Sequence, residues 1–397
     1  MRRLFAAICL LGFAFPALAE DLIPPRHPAL SRNIDFYGSD LQNIFDTTLD
    51  ACQNACLANR DCTAFTFNTR SNACFPKRGI SDVTPYEGAM SVRMIPAEDG
   101  ALALAATRAP DLGFVYPQDM SAAYDLALRI GRYYAADERA ASELLDTAES
   151  RSQSGDPVAA YAFLGAALSL EDSAALWTRF STEALALPTS YGNRSTAIQR
   201  AVPAAINGYL RAASDAERTE ALIALARAFE ANGRGKFMIP TLRLAQAISP
   251  RRDTESLLED AIGKYGFRVA DTRVESDSAT PRICATFNEP LARQGVDYAP
   301  YVQLPEPGLT VTATGSDLCI DGVRHGERYR IVMREGLPAA SGEKTARAAE
   351  LVLYVRDRSP AARFLSNAYV LPRLGEVAMP IETVNLSEID VTLRRIS

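Results

Sequence analysis

Asp50–Lys77, DACQNACLANRDCTAFTFNTRSNACFPK, places cysteines at 52, 56, 62 and 74, a C-x3-C-x5-C-x11-C spacing. Structural zinc sites generally use closer pairs such as C-x2-C, so this spacing argues against a metal. Disulfides suit the local pattern better. TTLDACQNACLANR reads as a helix capped by Thr47 or Thr48, which puts Cys52 and Cys56 one turn apart on the same face. CTAFTFN then reads as a strand entered through the turn Asn59-Arg60-Asp61. Four cysteines allow three connectivities. A nested one, Cys56–Cys62 inside Cys52–Cys74, would pin the helix to two strands. A module of about 60 residues buries little core, and each bridge would add about 2–4 kcal/mol.

The compartment follows from the other end of the chain. MRRLFAAICLLGFAFPALA opens with Arg2 and Arg3, continues with an apolar run, and closes on Ala17-Leu18-Ala19. This is a secretory leader, with cleavage expected between Ala19 and Glu20. The run is too short to span a bilayer, which takes about 20 residues. Cys9 leaves with the leader, so six of the seven cysteines remain, an even number suited to an oxidising compartment. We expect a periplasmic or secreted protein. Loss of the two arginines takes the net charge from −6 to −8, which disfavours nucleic-acid partners. No later stretch reads as a transmembrane segment.

Composition changes along the chain. Residues 20–32 are Pro-rich and read as extended. Strand-like runs NIDFYG, CTAFTF, ACFPKR and MSVRMI fill 33–96, and an Ala-rich stretch at 97–117 reads as a linker. From 118 to 266 the apolar period is helical, as in SAAYDLALRIGRYYA, where Ala123, Leu126, Ala127, Ile130 and Tyr134 share a stripe. These helical hairpins resemble a tetratricopeptide-type solenoid, although no strict 34-residue period aligns. At Phe267 the period becomes 2. FRVADTRVE, RICATFNE, LTVTATG, DLCIDGV, RYRIVMRE and ELVLYVRD then predict an antiparallel β-sandwich over 267–358. NAYVLP and IDVTLRR read as strands of a further, incomplete β domain over 359–397. Cys284 and Cys319 lie in two of the sandwich strands and are expected to form a third disulfide.

Motifs for chemistry are scarce. The only histidines are His27 and His325, the latter in the Gly-flanked turn GVRHGERY, where a hairpin role is expected. Trp177 and the pair Tyr133-Tyr134 fall on helical stripes and read as core. No Gly-x-Ser-x-Gly, Walker loop, His-Glu-x-x-His or EF-hand pattern occurs. We therefore expect no catalytic residue, metal or cofactor, and not an enzyme.

Two resemblances sharpen this reading. The helix cysteines separated by three residues, followed by CTAFTFN and ACFPK, resemble the PAN/apple module over about 33–95; such modules are usually non-catalytic binders of proteins or carbohydrates. RICATFNEPLARQGVDYAPYVQL, LCIDGVRHGERYRIVMREGLPAASGE and YVRDRSPAARFLSNAYVLPRLGEVAMPIETVN resemble the amino-terminal macroglobulin-like domains of bacterial α2-macroglobulins, over about 267–397. In one subset of that family, a leader, an apple-like module and a helical region precede these domains, in the order found here.

The family's implied activity is entrapment of endopeptidases, with target proteases as partners of the full-length protein. The family's thioester motif, Cys-x-Glu-Gln, is missing here, and no bait region is recognisable. The expectation is a multidomain α+β chain. It comprises a PAN/apple-like module, a TPR-like helical region, a macroglobulin-like sandwich and the start of a second, truncated before the bait and thioester regions. We expect it to serve as a monomeric, non-catalytic scaffold and docking region of such an inhibitor. The alternative is a stand-alone secreted module that binds a protein or glycan.

Overall fold

The computed structural model describes residues 21–292, 295–365, 380–392 and 394. The expected leader, its expected junction at Ala19 and Glu20, and NAYVLP lie outside the described residues. The chain is a mixed α+β protein of two compact units, Met1–Glu259 and Asp260–Ser397.

The first unit begins with β1 (Arg26–Asp40), α1 (Leu49–Ala58), β2 (Ala64–Asn68) and β3 (Ala73–Pro96), in the sheet order β1-β3-β2. Thr48 caps α1: its hydroxyl accepts from the Ala51 amide at 3.2 Å, satisfying one of the free donors of the first turn. Disulfides join Cys52 to Cys74 and Cys56 to Cys62. All four cysteines are fully buried beside Leu30, Phe65, Phe67, Val92 and Met94. ACFPKR and MSVRMI, read separately in the sequence, are two stretches of the single strand β3. Ala64 of β2 faces both Lys77 and Arg93, so β2 is held between these stretches.

The sheet also begins earlier than position 33. The Pro-rich stretch is not a free tail, because Arg26 pairs with Pro96 at the head of β1. The Arg26 guanidinium donates to the carbonyls of Cys56, Leu57, Asn59 and Cys62 at 2.6–2.9 Å. Three of these belong to the end of α1, where carbonyls lack helical partners and a cation is favoured.

The expected linker is folded as well. Residues 97–117 contain α2 (Ala101–Arg108) and a 3-10 turn, Ala109–Leu112. Ala105, Leu112 and Val115 are buried in the helical core. Small residues in this stretch pack closely against neighbouring helices, where the sequence suggested only a change of composition.

The helices continue with α3 (Pro117–Tyr133), α4 (Ala141–Gln153), α5 (Pro157–Leu168), α6 (Ala174–Ala186), α7 (Arg194–Arg211), α8 (Asp215–Ala231), α9 (Met238–Ile248) and α10 (Arg252–Tyr265), which crosses the division between the units. Asp156 caps α5 ahead of Pro157, Ser173 caps α6, and Ser214 with Glu217 forms a capping box on α8. Trp177 is buried as expected of a core residue, and its indole N–H donates to Asp172 at 2.6 Å.

The stapled module and the helices are docked directly. At Gly131 of α3 a β-carbon would stand 2.0 Å from the Pro28 carbonyl oxygen, so only glycine lets β1 approach the helix this closely. Beyond α3, the Ala136 amide donates to the Leu30 carbonyl at 3.0 Å. Asp137 and Glu138, both with positive φ, turn back onto β1 and β3. Asp137 pairs with Arg32 at 2.5 Å and Glu138 with Arg93 at 2.5 Å. Arg132 pairs with Asp50 of α1. His27, 2% exposed, donates through Nε2 to the Ser169 carbonyl at 3.1 Å.

The second unit contains β4 (Val269–Glu275), β5 (Arg282–Phe287), β6 (Val302–Gln303), β7 (Thr310–Thr314), β8 (Asp317–Asp321), β9 (Arg328–Met333) and β10 (Ala349–Tyr354). They form an antiparallel four-stranded sheet, β4-β5-β8-β7, and an antiparallel three-stranded sheet, β10-β9-β6. One apolar cluster draws on both, including Ile283, Ala285, Leu318 and Ile320 from the first and Tyr329, Ile331 and Met333 from the second. Alternation along β9 explains this: Tyr329, Ile331 and Met333 are buried, while Arg328 and Arg330 are exposed.

Cys284 and Cys319 face each other across β5 and β8 and are joined. A separate pair, β11 (Ala361–Phe364) with β12 (Ile381–Val384), follows. Its strands are AARF and IETV. IDVTLRR carries no strand over its described residues 389–392.

Candidate functional site

Among the described residues no group of three or more His, Cys, Asp or Glu side chains could hold a metal ion. The six cysteines expected as structural sites are all in disulfides and so offer no thiolate. His325 reaches from its turn to the distant Ser276, with Nε2 donating to that carbonyl oxygen at 2.7 Å. No described helix is long and apolar enough to cross a membrane.

The stapled module carries a cleft of about 210 Å³ across β1, β2 and β3. Its polar floor contains Lys77, only 5% exposed, whose ammonium pairs with the Asp40 carboxylate. The Lys77 Nζ also lies 5.8 Å from the centroid of the Phe75 ring. A buried ammonium is costly without a partner, so the Asp40 pair is what keeps it there. The rim is aromatic and open: Tyr37 is 50% exposed and Tyr86 41%.

The frame behind the cleft is rigid. Phe36 is buried, and the Arg93 guanidinium carbon lies 4.6 Å from its ring centroid. The Phe36 amide donates to the Thr66 hydroxyl at 3.1 Å, and that hydroxyl shares a 2.7 Å hydrogen bond with Ser91. Two open tyrosines over a buried ammonium whose carboxylate partner is exposed suit a ligand with a flat apolar face and a few polar groups. No nucleophile–base arrangement accompanies them.

Sequence reasoning identified the cross-links but missed this cleft, because Tyr37, Lys77 and Tyr86 are distant in the chain. The alternation in NIDFYGSD, with Phe36 and Tyr37 on opposite faces, was the available signal. Tyr133 also departs from expectation: it is 44% exposed, not core. Adjacent helical residues point about 100° apart, so Tyr133 and Tyr134 cannot share one buried stripe.

Comparison with known proteins assigns residues 34–77 to the family described as PAN domain. Among solved structures, the chain is similar to native alpha-2-macroglobulin from Escherichia coli spanning domains MG0-NIE-MG1, at 14% identity and a TM-score of 0.25. That match covers 30% of this chain and 41% of the other. It is also similar to a Salmonella alpha-2-macroglobulin mutant, at 16% identity and a TM-score of 0.24, covering 30% of this chain and 8% of that one. This chain therefore spans well under two thirds of either structure. No curated protein matches it.

Proposed function

We propose that the chain is the non-catalytic scaffold and docking region of an exported α2-macroglobulin-type endopeptidase inhibitor, with the PAN module as its ligand-facing part. The observation that carries the binding role is the cleft under Tyr37 and Tyr86, most of whose lining falls within residues 34–77, the segment matched as a PAN domain. The β motifs over 267–397 and the order of module, helices and strands support the inhibitor assignment. On this reading the helices form a TPR-like support, and the two-sheet region is a macroglobulin-like sandwich. Three buried disulfides fit a periplasmic or extracellular setting.

The test uses trypsin with two substrates, casein and a small chromogenic peptide. The product of the whole reading frame is expected to suppress casein digestion while sparing the small peptide, the signature of entrapment. The chain of 397 residues alone should change neither rate. Casein digestion unaffected by the longer product would reject the inhibitor assignment. In that event, glycan-array binding that disappears with Tyr37→Ala would support the stand-alone binder instead. Turnover of any substrate by the purified chain would reject the non-catalytic role.

A further inference from the structure

A second cleft, of about 310 Å³, opens among the helices, far along the chain from the PAN cleft. Tyr133 and Tyr134 come from the end of α3, Tyr161 from α5, Tyr191 from the turn before α7, and Arg200 from α7. The Arg200 guanidinium carbon stacks 3.8 Å from the Tyr133 ring centroid and lies 6.0 Å from that of Tyr134. Its Nη1 donates to the Tyr134 hydroxyl at 3.2 Å. Among the described residues Arg200 makes no ion pair, so a half-buried cation lines this cleft without a carboxylate opposite it.

The Tyr161 hydroxyl is the second observation. Tyr161 is 1% exposed, and its oxygen has no well-formed hydrogen-bond partner. Its polar neighbour is the Tyr134 hydroxyl, which also accepts from Arg200. The arrangement is fixed by packing. Tyr161 stacks on Phe180 with centroids 4.4 Å apart, and Tyr134 meets both rings edge-on. A β-carbon at Gly165 would lie 2.5 Å from the Tyr134 ring, so the glycine provides that ring's seat. Burial raises the titration of both phenols, which therefore keep their protons at neutral pH and can donate.

A guanidinium without an ion pair, bonded to the Tyr134 hydroxyl, thus meets two phenolic hydroxyls between aromatic walls, with Asn193 and Thr196 as the other polar side chains of the cleft and no carboxylate among its lining. A buried donor left without an acceptor is costly, and an arginine fork matches the two oxygens of a carboxylate. We infer that this cleft binds a small carboxylate-bearing ligand, its oxygens held by Arg200 and Tyr161 and its apolar body lying against Tyr191. Two sources share that chemistry, the free carboxyl end of a peptide and a sugar acid. The site is separate from the PAN cleft and does not depend on its assignment.

Isothermal titration of the purified full chain provides the test, using acetyl-Ala-Ala against its carboxamide and galacturonate against galactose. At least one acid should bind saturably, and its neutral counterpart about tenfold more weakly, as expected for loss of a charge-assisted hydrogen bond. Arg200→Ala should weaken the bound acid about tenfold, and Tyr161→Phe about threefold to tenfold. The ligand-free Tm of Tyr161→Phe should be unchanged or higher, since the substitution deletes an unsatisfied hydroxyl; a merely structural hydroxyl would lower Tm and leave binding alone. If Arg200→Ala does not fold, Arg200→Lys and Tyr161→Phe serve instead. Which acid binds identifies the source. Absence of saturable binding by either acid would overturn the inference. So would equal binding of acid and neutral probe, or folded variants that bind like wild type.

Discussion

Cys52–Cys74 and Cys56–Cys62 are embedded in the core they cross-link, whereas Cys284–Cys319 lies on the face of its sheet turned away from the core. In the PAN module four of the nine clustered core residues are cysteines. The second unit has a seventeen-residue cluster with none. Alternation along β5 and β8 sends Ile283, Ala285, Leu318 and Ile320 inward and the two cysteines outward. On that outer face Arg273 pairs with Asp317 at 2.8 Å, and Arg282 with Glu275 at 2.5 Å. The Arg273 guanidinium and the Thr286 hydroxyl hold the Asp317 carboxyl down at about 2. The same covalent bond therefore sits inside an apolar core in one place and, although equally buried, backs a polar sheet face in the other.

Loop-closure entropy puts the two bridges close together. Sequence separations of 22 for Cys52–Cys74 and 35 for Cys284–Cys319 correspond to about 3 and about 4 kcal/mol. Both bridges are also buried, so each truncated cysteine side chain adds about 1 kcal/mol in either place. Replacing Cys52 and Cys74 together with alanine should thus cost about 5 kcal/mol and open residues 26–96 to limited proteolysis. The Cys284→Ala, Cys319→Ala pair should cost a similar amount, about 6 kcal/mol, yet leave a folded unit with a lower Tm, because the apolar cluster between its sheets contains no cysteine. Proteolytic opening of the second unit as well would break the contrast.

A smaller effect tests whether the PAN module borrows support from the helices, as the second unit's sheets do from each other. Gly131→Ala forces a β-carbon against the Pro28 carbonyl. A cost of about 1–3 kcal/mol is expected, as for overpacking elsewhere. Hydrogen exchange at the Ala136 amide, which is bonded to Leu30, should accelerate with it. Unchanged stability and protection would show that the contact yields without cost.

The smallest effect concerns His27. Burial holds its titration below the usual 6.5, with nearby Arg211 acting in the same direction and Asp172 opposing. The unfolded chain then takes up the proton first as pH falls. The stability from neutral His27 is full above pH 6.5 and is lost as pH drops toward the depressed folded value. The wild type should therefore lose Tm between pH 7.5 and 5.5 more steeply than His27→Gln, by at most about 1.4 kcal/mol per pH unit, the limit for one proton. Parallel pH profiles would exclude the linkage.

Short-range chemistry was the part of the fold legible in the sequence. Thr48 before a helical cysteine pair, Asp-Pro at 156–157 and the period of 2 after Phe267 all act within a few residues, and each predicts a local element. What was missed depends on distant approach. Nothing near Pro28 signals that Gly131 will sit beneath it, and nothing near Arg26 signals that it will cap α1. The Ala-rich 97–117 stretch lacks polar–apolar contrast because small residues bury well on several sides, so it read as a linker. The PAN cleft was invisible for the same reason, since Tyr37 and Tyr86 meet only once β1 and β3 have paired.

The close seating of Pro28 on Gly131 has a practical side for anyone who would transplant the PAN module. Residues 33–96 cut out as a cassette would leave behind the first part of β1, including the Arg26 clamp on α1, and would strip the module's back of its covering helix. A graft that keeps its native shape should start at residue 21 and carry the polypeptide through Glu138, so that α3 and the turn after it travel with the sheet.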